Sequence, residues 1–307
     1  MGKNILITGG TGFIGRALCK SLLEQKHAVT VLTRHPRRAA NKFQNDDITF
    51  IGDLSEIKND HVFNAVINLA GEPIAQRWND KTKAKIFGSR IHTTKKLVAL
   101  LKRLDQKPDV FISGSAIGWY GTHTDKVYDE QSHPSENDIG SYSKNLCQAW
   151  ETEALKAQQL NIRTVLLRTG VVLEKDGGTL KELYPPSIMG VGGPIGDGQQ
   201  WFSWIHRNDL IGIILHSLDH DNIEGPINGT APNPVRNKEF AKALGHALHR
   251  PVLLPVPGIA LKALFSDMAE EIMLHGQNVV PQKALDTGYV FHYPEVREAL
   301  NNIYQDN

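Results

Sequence analysis

The chain of 307 residues predicts an α/β fold, a doubly wound parallel sheet with a small C-terminal α+β lobe. Three observations carry that expectation. Short, continuous apolar runs recur along the first half, as strands buried on both faces require. Amphipathic stretches long enough for helices lie between the later runs, so β and α elements alternate. After Leu173 the alternation stops, and turns rich in glycine and proline introduce a smaller block.

The first run is Ile5, Leu6 and Ile7, followed at once by Thr8-Gly9-Gly10-Thr11-Gly12-Phe13-Ile14-Gly15. Beyond Gly15 the spacing becomes helical, with Ala17, Leu18, Ser21 and Leu22 on one side. Glycines at 9, 12 and 15 let the turn tighten, a pyrophosphate approach the backbone, and the helix pack close to the strand. The helix start offers N–H groups and a partial positive charge to phosphates. A strand, this turn and a helix together predict a Rossmann-type nucleotide site using Gly9, Thr11, Gly12, Phe13, Ile14 and Gly15.

Further strands are expected at residues 28–33, 48–51, 65–69, 110–113 and 164–168, with long helices at 81–104 and 141–158. Residues 1–173 form the nucleotide-binding domain, to which the chain returns around 200–230. Residues 174–307 form the small lobe. Gly177-Gly178, Pro185-Pro186 and residues 190–198 read as loops or turns, the last roofing the pocket or else holding a phosphate. A helix at 237–249, a proline-rich step and another helix to Leu274 follow.

The second strand ends Thr33-Arg34, where a domain preferring NAD carries an acidic residue for the ribose hydroxyls. A guanidinium there pairs with a 2′-phosphate, so NADP(H) is expected in preference to NAD(H). Arg37 and Arg38 read as solvated charge. After the third strand, Asp53 accepts either from the adenine amino group or, as a helix N-cap, from local backbone; Leu54 stands beside it. Leu69, Ala70 and Gly71 close the fourth strand with little bulk, letting the ribose and pyrophosphate lie over backbone. Lys85 and Arg90 are candidates to neutralise the phosphates, and Val172 completes the cofactor set.

A formal net charge of +1 argues against bulk electrostatic binding to nucleic acid or to a membrane. Cys19 and Cys147 are too few for a disulfide framework, no apolar run spans a bilayer, and structure begins too early for a signal peptide. A cytoplasmic protein is expected. His246 and His249 share a helix face at metal-like spacing, but no further ligands complete a site, and no metal is expected.

Together these residues resemble the extended short-chain dehydrogenase/reductase superfamily, whose TGxxGxxG pattern falls on Thr8, Gly9, Gly12 and Gly15. More narrowly, the chain is similar to its atypical "epimerase family protein" group, the short-chain dehydrogenase/reductase 39U-like proteins. The segments concerned are residues 68–78, 192–206 and 208–210, with 254–257 and 277–281 in a C-terminal domain of about 234–304. The resemblance implies NADP(H) binding and a small-molecule substrate of unknown identity. It also implies dimerisation through the two long helices, although Lys95, Lys96, Lys102 and Arg103 leave the first rather polar; a monomer or a homodimer is expected.

The superfamily uses a serine or threonine with a Tyr-x-x-x-Lys pair, whose spacing puts phenol and ammonium on one helix face. Ser115 fills the serine position, with local backbone bonding as its alternative role. Tyr142 is the tyrosine candidate, facing the nicotinamide or simply packing, but four residues on stands Leu146. Lys144 lies about 200° around the helix. Tyr120 is a second aromatic, read as a substrate wall. Trp201, Phe202 and Trp204 suit packing between lobes, and residues 206–209 a structural return of the chain. Two functions remain open: an NADP(H)-dependent epimerase-like oxidoreductase with a degenerate acid/base set, or a non-catalytic NADP(H)-binding sensor or scaffold.

Overall fold

A computed structural model describes residues 2–43, 47–121, 123–134, 141–252 and 254–305. The nucleotide half begins β1 (Asn4–Thr8), α1 (Phe13–Glu24), β2 (Ala28–Leu32), α2 (Pro36–Phe43), β3 (Ile48–Ile51) and β4 (Ala65–Asn68). It continues α3 (Asp80–Arg103), β5 (Val110–Ala116), β6 (His123–Tyr128), α4 (Tyr142–Leu155), β7 (Arg163–Thr169) and β8 (Val171–Leu173). Then come α5 (Gly178–Ile188), β9 (Trp201–Phe202), β10 (Trp204–His206), α6 (Arg207–Asp219) and β11 (Gly225–Gly229). The last part holds β12 (Val235–Arg236), α7 (Asn237–Ala247), α8 (Gly258–Phe265), β13 (Gly276–Val279), α9 (Gln282–Asp286) and α10 (Val296–Tyr304).

Seven strands form one sheet in the order β11-β7-β5-β4-β1-β2-β3, every pair parallel. The alternation of side chains across a strand explains the two layers. Ile5 and Ile7 point into a core with Leu18 and Leu22 of α1 and Ile213 and Ile214 of α6. Leu6 points the other way, among Leu97 and Leu101 of α3 and Ala154 of α4. Each such leucine or isoleucine contributes about 1.5–3 kcal/mol through burial. The chain runs outward from β1 to β3, then resumes on β1's other side with β4. That reversal places a crevice at the carboxyl ends of β1 and β4.

Several sequence expectations change in detail. The fifth strand runs on to Ala116, carrying Ser115 within the sheet. Strand β11, Gly-Pro-Ile-Asn-Gly, has poor strand propensity; it survives as an edge strand, where Pro226 is tolerated. Pro185 and Pro186 sit inside α5 rather than in a turn, in its last turn, where each leaves the carbonyl four residues back without its helical N–H donor. The helix expected to reach Leu274 breaks at Ser266, whose φ of 58° no helix accepts, and resumes as a π-helical turn at Ala269–Met273. Among the described residues, no helix is long and apolar enough to cross a membrane.

Candidate functional site

At the carboxyl end of β1, Gly9 has φ 74°, a conformation that favours glycine. A Cβ there would lie 2.5 Å from the Leu69 carbonyl oxygen, so the turn rests directly on the end of β4. Gly15 packs so closely that a Cβ would lie 2.2 Å from the Gly9 oxygen. Gly12 differs: it is exposed, has an ordinary φ of −80°, and has no side chain to cap α1. The first N–H groups of α1 have no intrahelical acceptor, so this end is built to receive an anion from outside.

The parallel order brings most expected cofactor residues onto this one edge of the sheet. Thr33 and exposed Arg34 follow β2, Asp53 and buried Leu54 follow β3, and Leu69, Ala70 and Gly71 follow β4. Thr11, Phe13 and Ile14 line the turn itself, half-buried. Phe13 packs on Gly177, where a Cβ would lie 2.4 Å from its ring, and the Arg207 guanidinium stands 5.2 Å from the ring centre. Val172 is half-buried in β8, paired with Ile205.

Two of the charged candidates are held by the protein's own backbone. Asp53 is the N-cap of a short 3₁₀ turn, accepting from Ser55 N–H at 2.9 Å, while Glu56 accepts from the Gly52 and Asp53 N–H groups. The bond from Ser55 holds the Asp53 carboxyl below its ordinary pKa. Arg90 turns inward, but its Nη1 donates to the carbonyls of Glu72 at 3.1 Å and Ile86 at 3.2 Å. Its guanidinium lies against Gly71, and Ser89 Oγ accepts from Glu72 N–H, so the pair clamps the loop after β4. Lys85 is exposed on α3.

The proton-transfer candidates are both engaged. Ser115 is buried and its hydroxyl donates to Glu151 Oε1 at 2.7 Å, rather than to local backbone. Tyr142 donates its phenol proton to the Lys83 carbonyl at 2.6 Å and packs edge-on against Trp78. Burial pushes that phenol up to about 12, against the opposing charge of Arg90. Tyr120 is fully buried, donating to Asn228 Oδ1 at 2.8 Å, and so is no substrate wall.

Beneath these residues lies a polar framework that reading along the chain missed. Thr8 donates to Asn68, Asn68 to Thr94, and the Trp150 indole to the same Thr94 hydroxyl. Arg168 and Glu151 form an ion pair with side chains 3% and 6% exposed, and Arg168 lies 3.5 Å from the centre of the Trp119 ring. Burial alone would lower the Arg168 pKa, but hydrogen bonds and charge from Glu151 outweigh it and raise it. A signal existed: an arginine inside the apolar strand Arg163–Thr169 demands a buried partner.

The other clusters are structural. Trp204 is buried with its indole donating to the Asn233 carbonyl, Phe202 stacks on Phe240, and Trp201 lies beneath Arg236. Asp209 accepts from the N–H groups of His292 and Tyr293 and from the Tyr289 phenol, tying the chain's end to α6. His246 and His249 are exposed. A groove of about 760 Å³ lies at the amino ends of the strands around Lys3, Asn64 and Val110, away from the glycine turn.

Comparison with known proteins agrees with this geometry. Residues 5–228 match the NAD dependent epimerase/dehydratase family and residues 256–303 a domain of unknown function, DUF1731. The chain is 45% identical over 306 residues to "Epimerase family protein SDR39U1 homolog, chloroplastic" of Arabidopsis thaliana, covering 98% of this chain and 86% of that protein. It is 37% identical to "Epimerase family protein YfhF" of Bacillus subtilis, covering 99% and 98%. The crystal structure of human epimerase family protein SDR39U1 (isoform2) with NADPH superposes with a TM-score of 0.88 at 33% identity, covering 99% of this chain and 100% of that one. A glycine turn at the switch point of a parallel sheet, joined to that C-terminal domain, accounts for the agreement: this chain belongs to the NAD dependent epimerase/dehydratase family, in its epimerase family protein group.

Proposed function

We propose that the protein binds NADP(H), in preference to NAD(H), and acts as an epimerase-like oxidoreductase on a small polar molecule. The observation that carries the reading is the exposed, side-chain-free amino end of α1 at Gly12, opening onto the crevice between β1 and β4. The first-turn N–H groups of α1 would hold the pyrophosphate, and Arg34 the 2′-phosphate. Bound there, the nicotinamide supplies hydride transfer. The relative solved with NADPH supports the same choice.

The proton needed alongside falls to Ser115 or Tyr142 only if that hydroxyl leaves its present acceptor, Glu151 or the Lys83 carbonyl. Those two bonds favour a second reading, an NADP(H)-binding sensor or scaffold that does not turn the cofactor over. In either case the partners proposed are small molecules rather than nucleic acid or membrane. The chain works as a monomer or homodimer, in the cytoplasm, a placement supported by two free, buried cysteines.

Fluorescence titration with NADPH and NADH, for wild type and Arg34→Ala, tests the assignment. A wild-type preference for NADPH that falls about tenfold or more in the variant is expected. Negligible binding of both nucleotides overturns it. A screen of carbonyl compounds with NADPH then separates enzyme from sensor.

A further inference from the structure

The amino end of α4 is closed by a side chain 130 positions further along. Glu271 Oε1 accepts from Tyr142 N–H at 3.0 Å, and Oε2 accepts from Ser143 N–H at 2.8 Å. The hydroxyls of Ser141 and Ser143 donate to the same Oε2 at 3.0 and 2.8 Å. First-turn N–H groups lack intrahelical acceptors, and the helix dipole favours a carboxylate beside them.

Glu271 does not act alone. Met268 is buried with Trp78, Ile86 and Leu146, while Lys83 pairs with Asp267 at 2.5 Å. Trp78 N–H donates to the Phe265 carbonyl at 3.3 Å. Residues 265–273 therefore grip two things at once: the start of α4, and the 71–78 loop that leaves the cofactor end of β4. Between these contacts Ser266 is held at φ 58°, a conformation a non-glycine residue keeps only when its surroundings impose it.

We propose that residues 265–273 are a clasp by which the C-terminal domain of unknown function sets α4 and the cofactor loop, with Glu271 as the positioning residue. This rests on the cofactor reading above. A clasp that touches the loop after β4 is tightened by whatever orders that loop, so cofactor and C-terminal domain hold each other in place.

Hydrogen–deuterium exchange on the full chain, with and without NADPH, tests this in wild type, Glu271→Gln and Asp267→Asn. Without cofactor, Glu271→Gln is expected to speed exchange about tenfold at residues 142–145 and 265–273, leaving β1, β4 and β5 at wild-type rates. Asp267→Asn is expected to loosen 265–273 alone, and keeps the test decidable if the first variant fails to fold. With NADPH, wild type gains protection at 9–15 and at 265–273, and Glu271→Gln only at 9–15. Unchanged exchange at 142–145 and 265–273, a rise spread evenly over the sheet, or wild-type protection confined to 9–15 overturns the clasp. No protection at 9–15 in wild type defeats the cofactor reading instead, and the cofactor-free rates then decide the clasp.

Discussion

Arg168 and Glu151 meet edge to edge, Nε to Oε1 at 2.8 Å and Nη2 to Oε2 at 2.9 Å, between β7 and α4. Ser115 of β5 shares the same carboxylate, so three elements converge on one buried charge. Glu151→Ala leaves a buried guanidinium without its counter-charge, and is expected to cost about 3–5 kcal/mol in urea unfolding. Ser115→Ala removes one hydrogen bond to an ionised group and is expected to cost about 1.5–3 kcal/mol. A Glu151→Ala loss below that of Ser115→Ala would show that the pair does not hold these elements.

The glycines of the turn separate folding from binding. Gly15→Ala drives a Cβ to 2.2 Å from the Gly9 oxygen and 2.7 Å from Gly10 Cα, both backbone, so the turn must open. Lower thermal stability and lost NADPH binding are expected together. Gly12→Ala meets nothing nearer than the Gly9 oxygen at 3.1 Å. Its expected cost is within about 1 kcal/mol, while NADPH affinity falls about tenfold or more because the methyl stands where the pyrophosphate would approach. Equal effects of the two changes on melting temperature would contradict this division.

Alkaline pH should unfold the protein through its buried acids. Burial pushes the Cys147 thiol from 9.0 to about 12 and the Tyr142 phenol from 10.0 to about 12. A folded pKa raised above the unfolded one stabilises fully below the unfolded value and is lost as pH rises through the folded one. Stability is therefore expected to fall between about pH 9 and 12. Calorimetry across that window, with Tyr142→Phe showing the shallower decline, checks it. Cys147 should also resist thiol reagents at pH 8 until the chain is denatured.

His206 runs the other way. Burial lowers its pKa below the ordinary 6.5, and its Nδ1 accepts from Asn208 N–H at 3.1 Å, which puts the ring proton on Nε2. A depressed pKa stabilises above the unfolded value and is lost as pH falls through the folded one. Nitrogen NMR at pH 6.5 is expected to find His206 neutral in that tautomer, with stability declining on further acidification. A doubly protonated ring at pH 6.5 would refute the assignment.

The glycine turn and its sheet were legible because their signals are local: apolar runs of strand length, and glycines at fixed spacing where backbone meets backbone. The charged site residues were less so. Asp53 could be seen as a cap or an adenine contact, and only the position of Ser55 N–H shows the cap. Arg90 turns inward, and one of its partners is the Glu72 carbonyl, in a loop whose path no periodicity reveals. Glu271 was invisible, because a carboxylate on a π-helical turn announces nothing about a helix start far back along the chain. Ser266 hid the break in the last lobe: a serine at positive φ leaves no mark like the one glycine leaves.

The capping carboxylate also imposes an order on synthesis. Glu271 follows Ser141 by 130 residues, so at about 5–20 residues per second it leaves the ribosome roughly ten seconds after the helix start it closes. Throughout that interval the glycine turn and the inner strands are already available to pair. A nascent chain can thus assemble its nucleotide cradle early, while the first turn of α4 waits, hydrated, for a side chain not yet translated. A segment translated late finishes a helix begun 130 residues earlier.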